Sequence, residues 1–164
     1  MWIACSINRR NYVNCERLWH NACRQKSFKV VFMSKVSPVR ILVVDDDRLF
    51  IKALSNTLQE DGYVVVSANG GQAGIDAFQS ALNTPEPFAV VITDLGMAPI
   101  DGRQVASAVK KASPSTVVIL LTGWGEWFET KGGIPLPVDR ILSKPPKLHE
   151  LRDILTRCLA SPAP

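Results

Sequence analysis

Asp45, Asp46 and Asp47 stand in a row directly after the apolar run Ile41–Val44, in the stretch RILVVDDDRLF. Neighbouring carboxylates repel and burial raises their pKa, so three at the mouth of a buried strand are costly unless a cation or phosphate chemistry offsets the charge. Three more chemically capable residues close later apolar runs: Asp94 after FAVVIT, Thr122 after VVILL and Lys144 after RILS. Two or three clustered carboxylates suit a hard cation such as Mg²⁺, which accepts one or two of them and keeps several waters. An aspartate is also a nucleophile toward phosphorus, forming an acyl phosphate. Such a transfer needs its charge neutralised, by a metal on one side and a lysine on the other, while a hydroxyl and backbone N–H groups hold a remaining oxygen.

These residues are far apart in sequence, so the fold must bring them together. Ile41–Val44 is too short for a helix and rich in β-branched residues, which predicts a buried strand. Phe50, Ala53, Leu54 and Leu58 then recur at helical spacing, and Gly62 suits the position just past the helix end. Tyr63–Val66 is a second strand. A second helix follows with the face Ala73, Ala77, Phe78 and Ala81, stopped by Pro85 and Pro87. Phe88–Ile92 reads as a third strand ending at Thr93-Asp94. Asp101 or Gly102 starts a third helix carrying Val105, Ala106 and Val109. Thr116–Leu121 and Arg140–Ser143 are the fourth and fifth strands, and Leu148, Leu151, Ile154, Leu155 and Cys158 mark a last helix, with Cys158 as a small core residue. Alternating strands and helices predict a parallel sheet covered on both faces, whose strand C-termini share one edge. Ligands bind outside that edge, and that is where the acids, Thr122 and Lys144 converge.

The totals bound the rest. A chain of 164 residues holds one ordinary domain. No apolar run approaches the roughly 18 residues that span a bilayer. The net charge of +4 is concentrated at the start, where Arg9, Arg10, Arg17, Arg24, Lys26 and Lys29 face Glu16 alone. From Met33 onward the charges nearly balance, so the main body has no bulk bias toward nucleic acid. Cys5, Cys15, Cys23 and His20 lack the paired spacing of a zinc knuckle. Arg9-Arg10 is followed by no apolar signal segment. Residues 1–36 read as a poorly ordered basic extension, 38–160 as the domain and 161–164 as a tail. Met33 would serve as a start of its own, which predicts that native protein begins there. A reducing cytoplasm suits the cysteine usage.

The motifs VVDDD, ITDLGMAPIDG, VILLTGWG and LSKPPKL, in this order, resemble the receiver domain of two-component response regulators over about residues 39–160. The resemblance implies an α/β fold, a doubly wound five-stranded parallel sheet of the flavodoxin-like order 2-1-3-4-5. It implies Asp94 as phosphoacceptor, Thr122 and Lys144 as its catalytic companions, and a Mg²⁺ held by Asp45, Asp46, Asp94 and the Gly96 carbonyl. A cis peptide before Pro145 is also implied. Asp47 falls outside that set and is expected to cap the first helix.

Three departures from the family pattern concern output. Met97-Ala98-Pro99 moves a proline one place along. Ile141 stands where an aromatic switch residue is usual, so no hydroxyl-driven aromatic flip is expected. Residues 123–139 replace the usual fourth helix with a stretch rich in glycine and proline, which predicts a shortened or irregular helix of one or two turns near Glu126–Thr130. Trp124 and Trp127 lie in that stretch; both are expected to pack the loop, and Trp124, two residues after Thr122, alternatively shields the phosphoryl site.

The expected function is that of a phosphorylatable receiver, taking a phosphoryl group from a sensor histidine kinase or phosphotransfer protein and switching the binding of a downstream protein. No DNA-binding domain, membrane segment or enzymatic output is expected beyond self-catalysed phosphorylation and dephosphorylation. His20 and His149 sit in no kinase-like context. One alternative is a Mg²⁺-dependent phosphohydrolase with an aspartate nucleophile, for which Asp45-x-Asp47 is a partial match. It lacks the glycine-threonine turn, Arg48 standing instead, and it leaves Asp94 idle. The other alternative is a receiver-like adaptor that works without phosphorylation.

Overall fold

The computed structural model describes residues 38–123 and 137–160. Among the described residues there are five strands, β1 (Arg40–Asp45), β2 (Val64–Asn69), β3 (Val90–Asp94), β4 (Val117–Thr122) and β5 (Arg140–Ser143), and four helices, which follow β1, β2, β3 and β5. The helices are α1 (Arg48–Glu60), α2 (Gly71–Leu82), α3 (Gly102–Ala112) and α4 (Leu148–Ala160). The strands form one parallel sheet in the order β2-β1-β3-β4-β5, the arrangement the resemblance implied.

The sheet is a two-sided core. Ile41 and Val43 of β1 face α1 and α4, packing with Leu54, Leu58, Leu151 and Leu155. Leu42 and Val44 face the other way, onto Phe78 of α2 and Val105, Ala106 and Val109 of α3. Strands covered on both sides carry continuous apolar runs rather than alternation, which is why VVIT and VVILL read so plainly. Each fully buried Val or Leu contributes about 1.5–3 kcal/mol relative to exposure, so these two layers supply most of the driving force.

Helix ends follow local chemistry. Asp47 caps α1, its carboxylate accepting from the N–H groups of Leu49 and Phe50 at 2.9 and 3.2 Å, as expected. Gly62, with φ of 92°, takes the left-handed turn after α1 that a side chain would disfavour. Asp101 and Gln104 form a reciprocal capping box at the start of α3.

Several details differ from expectation. On α1 the buried positions are Ile51, Leu54, Ser55 and Leu58, while Ala53 is exposed. Ser55 reaches the core because its hydroxyl bonds Ser67 of β2 at 3.0 Å. On α2, Ala73 is exposed and Gly74 takes its place against the sheet, where a Cβ would meet the Val44 side chain at 2.6 Å. Strand β2 extends through Ser67 and Asn69, since an edge strand tolerates polar side chains. Cys158 is half-buried at the rim of α4 rather than a core residue, and Leu148 is exposed. His149 is exposed, as expected. The expectations for residues 1–36, the irregular helix near Glu126–Thr130, Trp124, Trp127 and the tail 161–164 lie outside the described residues.

Candidate functional site

Sheet register sets the site. Asp45, Asp94 and Thr122 are each the last residue of their strand, paired with Asn69, Leu121 and Ser143. They belong to the strands rather than following them, so their backbones are fixed by the ladders. Lys144 comes directly after β5, and its N–H donates to the Thr122 carbonyl at 2.9 Å. A cis peptide joins Lys144 to Pro145, as the resemblance implied, and a second joins Ala98 to Pro99.

The side chains meet at the C-terminal edge. Carboxylate oxygens of Asp45, Asp46 and Asp94 lie within 4.8 Å of one another. The Lys144 Nζ stands 2.7 Å from Asp45 Oδ2 and 3.4 Å from Asp94 Oδ1. Asp45 Oδ1 accepts from the Asp47 N–H at 2.9 Å, and Asp94 Oδ2 from the Gly96 N–H at 3.2 Å. Asp45, Asp94 and Thr122 are buried, whereas Asp46 is exposed at the rim.

Burial pushes the Asp45 carboxyl above the ordinary carboxylate range, and the charge of Asp94 adds to this, against the opposing hydrogen bonds from Lys144 and Asp47. Burial alone would lower the Lys144 ammonium. Its hydrogen bond to Asp45 and the charges of Asp45 and Asp94 outweigh that effect and hold it above its ordinary value. Three carboxylates against one ammonium leave two negative charges uncompensated. The donors are all hard oxygens, one at the rim and two deeper, which fits Mg²⁺ in both charge and ligand type.

Two features of the site carried no sequence signal. At the start of α3, a Cβ on Gly102 would lie 2.2 Å from the Asp94 carbonyl oxygen, so only glycine lets the helix approach the strand end this closely. On the first turn of α1, the Phe50 ring centroid lies 4.6 Å from the Lys144 Nζ. Phe50 read as one of several helix-face residues, and nothing in its spacing distinguished a ring over the amine from a ring in the core.

The family model for the response regulator receiver domain matches residues 41–156. The chain belongs to that family. This receiver domain is 33% identical over 127 residues to the transcriptional regulatory protein GlrR of Escherichia coli (strain K12), covering 77% of this chain and 28% of GlrR. It is 35% identical over 114 residues to the response regulator MprA of Mycolicibacterium vanbaalenii, covering 70% of this chain and 47% of MprA. The chain thus spans less than half the length of these curated relatives. Among solved structures it resembles the response regulator TrrA of Thermotoga maritima in complex with Mg²⁺-BeF, with TM-score 0.62 and 28% identity over 73% of this chain and 98% of TrrA. It also resembles the chemotaxis response regulator CheY4 of Vibrio cholerae, with TM-score 0.64 and 27% identity over 74% of this chain and 99% of CheY4. Among the described residues no helix is long and apolar enough to cross a membrane.

Proposed function

We propose that this receiver domain accepts a phosphoryl group on Asp94 from the phosphohistidine of a sensor histidine kinase or phosphotransfer protein, and that the modification switches binding of a downstream protein in the cytoplasm. The carrying observation is the meeting of Asp94 with Asp45, Asp46 and the Lys144 ammonium at one sheet edge.

A carboxylate oxygen of Asp94 attacks phosphorus, the new P–O bond forms as the P–N bond breaks, and the departing imidazole keeps the electron pair. Bound Mg²⁺ would neutralise charge on the phosphoryl oxygens. Asp45, Asp46, Asp94 and the Gly96 carbonyl would hold it. Lys144, already 3.4 Å from Asp94 Oδ1, offsets charge from the other side. The Thr122 hydroxyl, at the end of the neighbouring strand, donates to a phosphoryl oxygen. The added charge beside Thr122 and Lys144 then biases a two-state equilibrium in the adjoining loops.

The phosphohydrolase alternative needs Asp45 as nucleophile. That assignment leaves Asp94, buried at the end of β3 and 3.4 Å from the Lys144 ammonium, without a role. Incubation with a small phosphodonor and Mg²⁺, followed by intact-mass measurement, tests the reading. The wild type should gain one phosphoryl group and Asp94→Asn should not; equal labelling of both proteins would refute it.

A further inference from the structure

We propose that Phe50 is a positioning residue for Lys144, its ring holding the ammonium between Asp45 and Asp94; this rests on the phosphoryl-transfer reading given above. Lys144 carries three N–H donors on a flexible four-carbon stem. Two of its neighbours are carboxylates, at 2.7 and 3.4 Å, and a third is the Phe50 ring, with its centroid 4.6 Å from Nζ. The face of an aromatic ring is electron-rich and attracts a cation within about 6 Å, more strongly where water is excluded. Only 22% of the Lys144 side chain is exposed, so the contact is largely shielded.

Phe50 is itself held in place. Its N–H donates to the Asp47 carboxylate at 3.2 Å in the first turn of α1, and its side chain packs against the core of Ile51, Leu54 and Leu155. The ring is therefore anchored by the same helix whose cap follows the acidic pair. Without it, the ammonium has only two carboxylates to orient it, and the nearer one, Asp45, draws it away from Asp94. A ring that attracts the amine without donating or accepting a proton leaves the N–H groups available for a phosphoryl oxygen.

The test compares wild type, Phe50→Leu and Phe50→Tyr, each with and without Lys144→Ala. Leucine keeps apolar volume and removes the π face; tyrosine keeps both. In metal-free protein, the side-chain ¹⁵N–¹H resonance of the Lys144 ammonium should be sharp in wild type and Phe50→Tyr, and shifted and broadened in Phe50→Leu. With Mg²⁺ and a small phosphodonor, Phe50→Leu should be phosphorylated about three- to tenfold more slowly, and Phe50→Tyr within about twofold of wild type. In the Lys144→Ala background the Phe50→Leu change should have no further effect. An unaltered Lys144 resonance in Phe50→Leu, or equal slowing with and without Lys144, overturns the proposal. Absence of any phosphoryl mass on wild type would instead defeat the phosphoryl-transfer reading, and the metal-free resonance still decides whether Phe50 holds the amine.

Discussion

Lys144 and Asp45 are separated by 99 positions in the chain, yet their charged atoms lie 2.7 Å apart at the end of the sheet. The contact closes the site from the β5 side and places a cation beside a carboxylate that is 1% exposed.

Lys144→Met should leave Asp45 buried with no cation. Truncating one partner of a fully buried pair costs about 3–5 kcal/mol. Because the lysine retains partial contact with solvent, the expected loss here is about 1–3 kcal/mol. Urea unfolding at neutral pH measures it, and an unchanged midpoint with unchanged slope would contradict the pairing.

If the proposed reading holds, Mg²⁺ should raise the thermal midpoint, because the carboxylate cluster that would hold it exists only in the folded chain. At a hundredfold excess over the dissociation constant the gain is about 2.7 kcal/mol. Asp46→Asn should abolish most of that gain, and chelation should reverse it in wild type. Without metal the same variant should unfold no more easily than wild type, since Asp46 is exposed and adds only repulsion.

Gly102→Ala should damage fold and site together. The added methyl would stand 2.2 Å from the Asp94 carbonyl oxygen and 2.8 Å from Leu120, so α3 or the end of β3 must shift. Overpacking of this kind costs about 1–3 kcal/mol. Calorimetry should show the loss, and acquisition of phosphoryl mass should slow even at temperatures where the variant stays folded.

Asp101 gives a pH-dependent test away from the carboxylate cluster. Burial alone would raise its carboxyl, but hydrogen bonds from Arg103 and the Gln104 N–H outweigh this and hold it below its ordinary value. A lowered folded-state pKa means stability that is whole above the unfolded value, about 3.9, and disappears as pH falls through the folded one. Asp101→Ala should cost about 1 kcal/mol at neutral pH. The gap to wild type should hold down to about pH 4 and close below it. A gap that persists in strong acid would rule out the charged cap as its origin.

Much of this was legible because parallel strands write themselves as apolar runs and end where polar residues begin. Asp45, Asp94, Thr122 and Lys144 each stood at such a boundary, so a parallel sheet with its strand ends along one edge was enough to expect them together. What escaped was contact across elements. Gly74 and Gly102 matter through the side chain they lack, which leaves no periodic mark. The burial of Ser55 depends on a hydroxyl partner on another strand, Ser67. Ala53 and Ala73 were misplaced because alanine fits either side of a helix, so two small residues could not fix the rotation of α1 or α2.

The strand order also has a consequence during synthesis. Asp45, Asp46 and Asp94 leave the ribosome first, and β1 and β3 can pair as soon as both exist. The neutralising amine arrives about fifty residues after Asp94, once β5 is made. Before that point the three acids have no ammonium beside them, and the last strand to be translated is the one that brings the cation which offsets one of their charges.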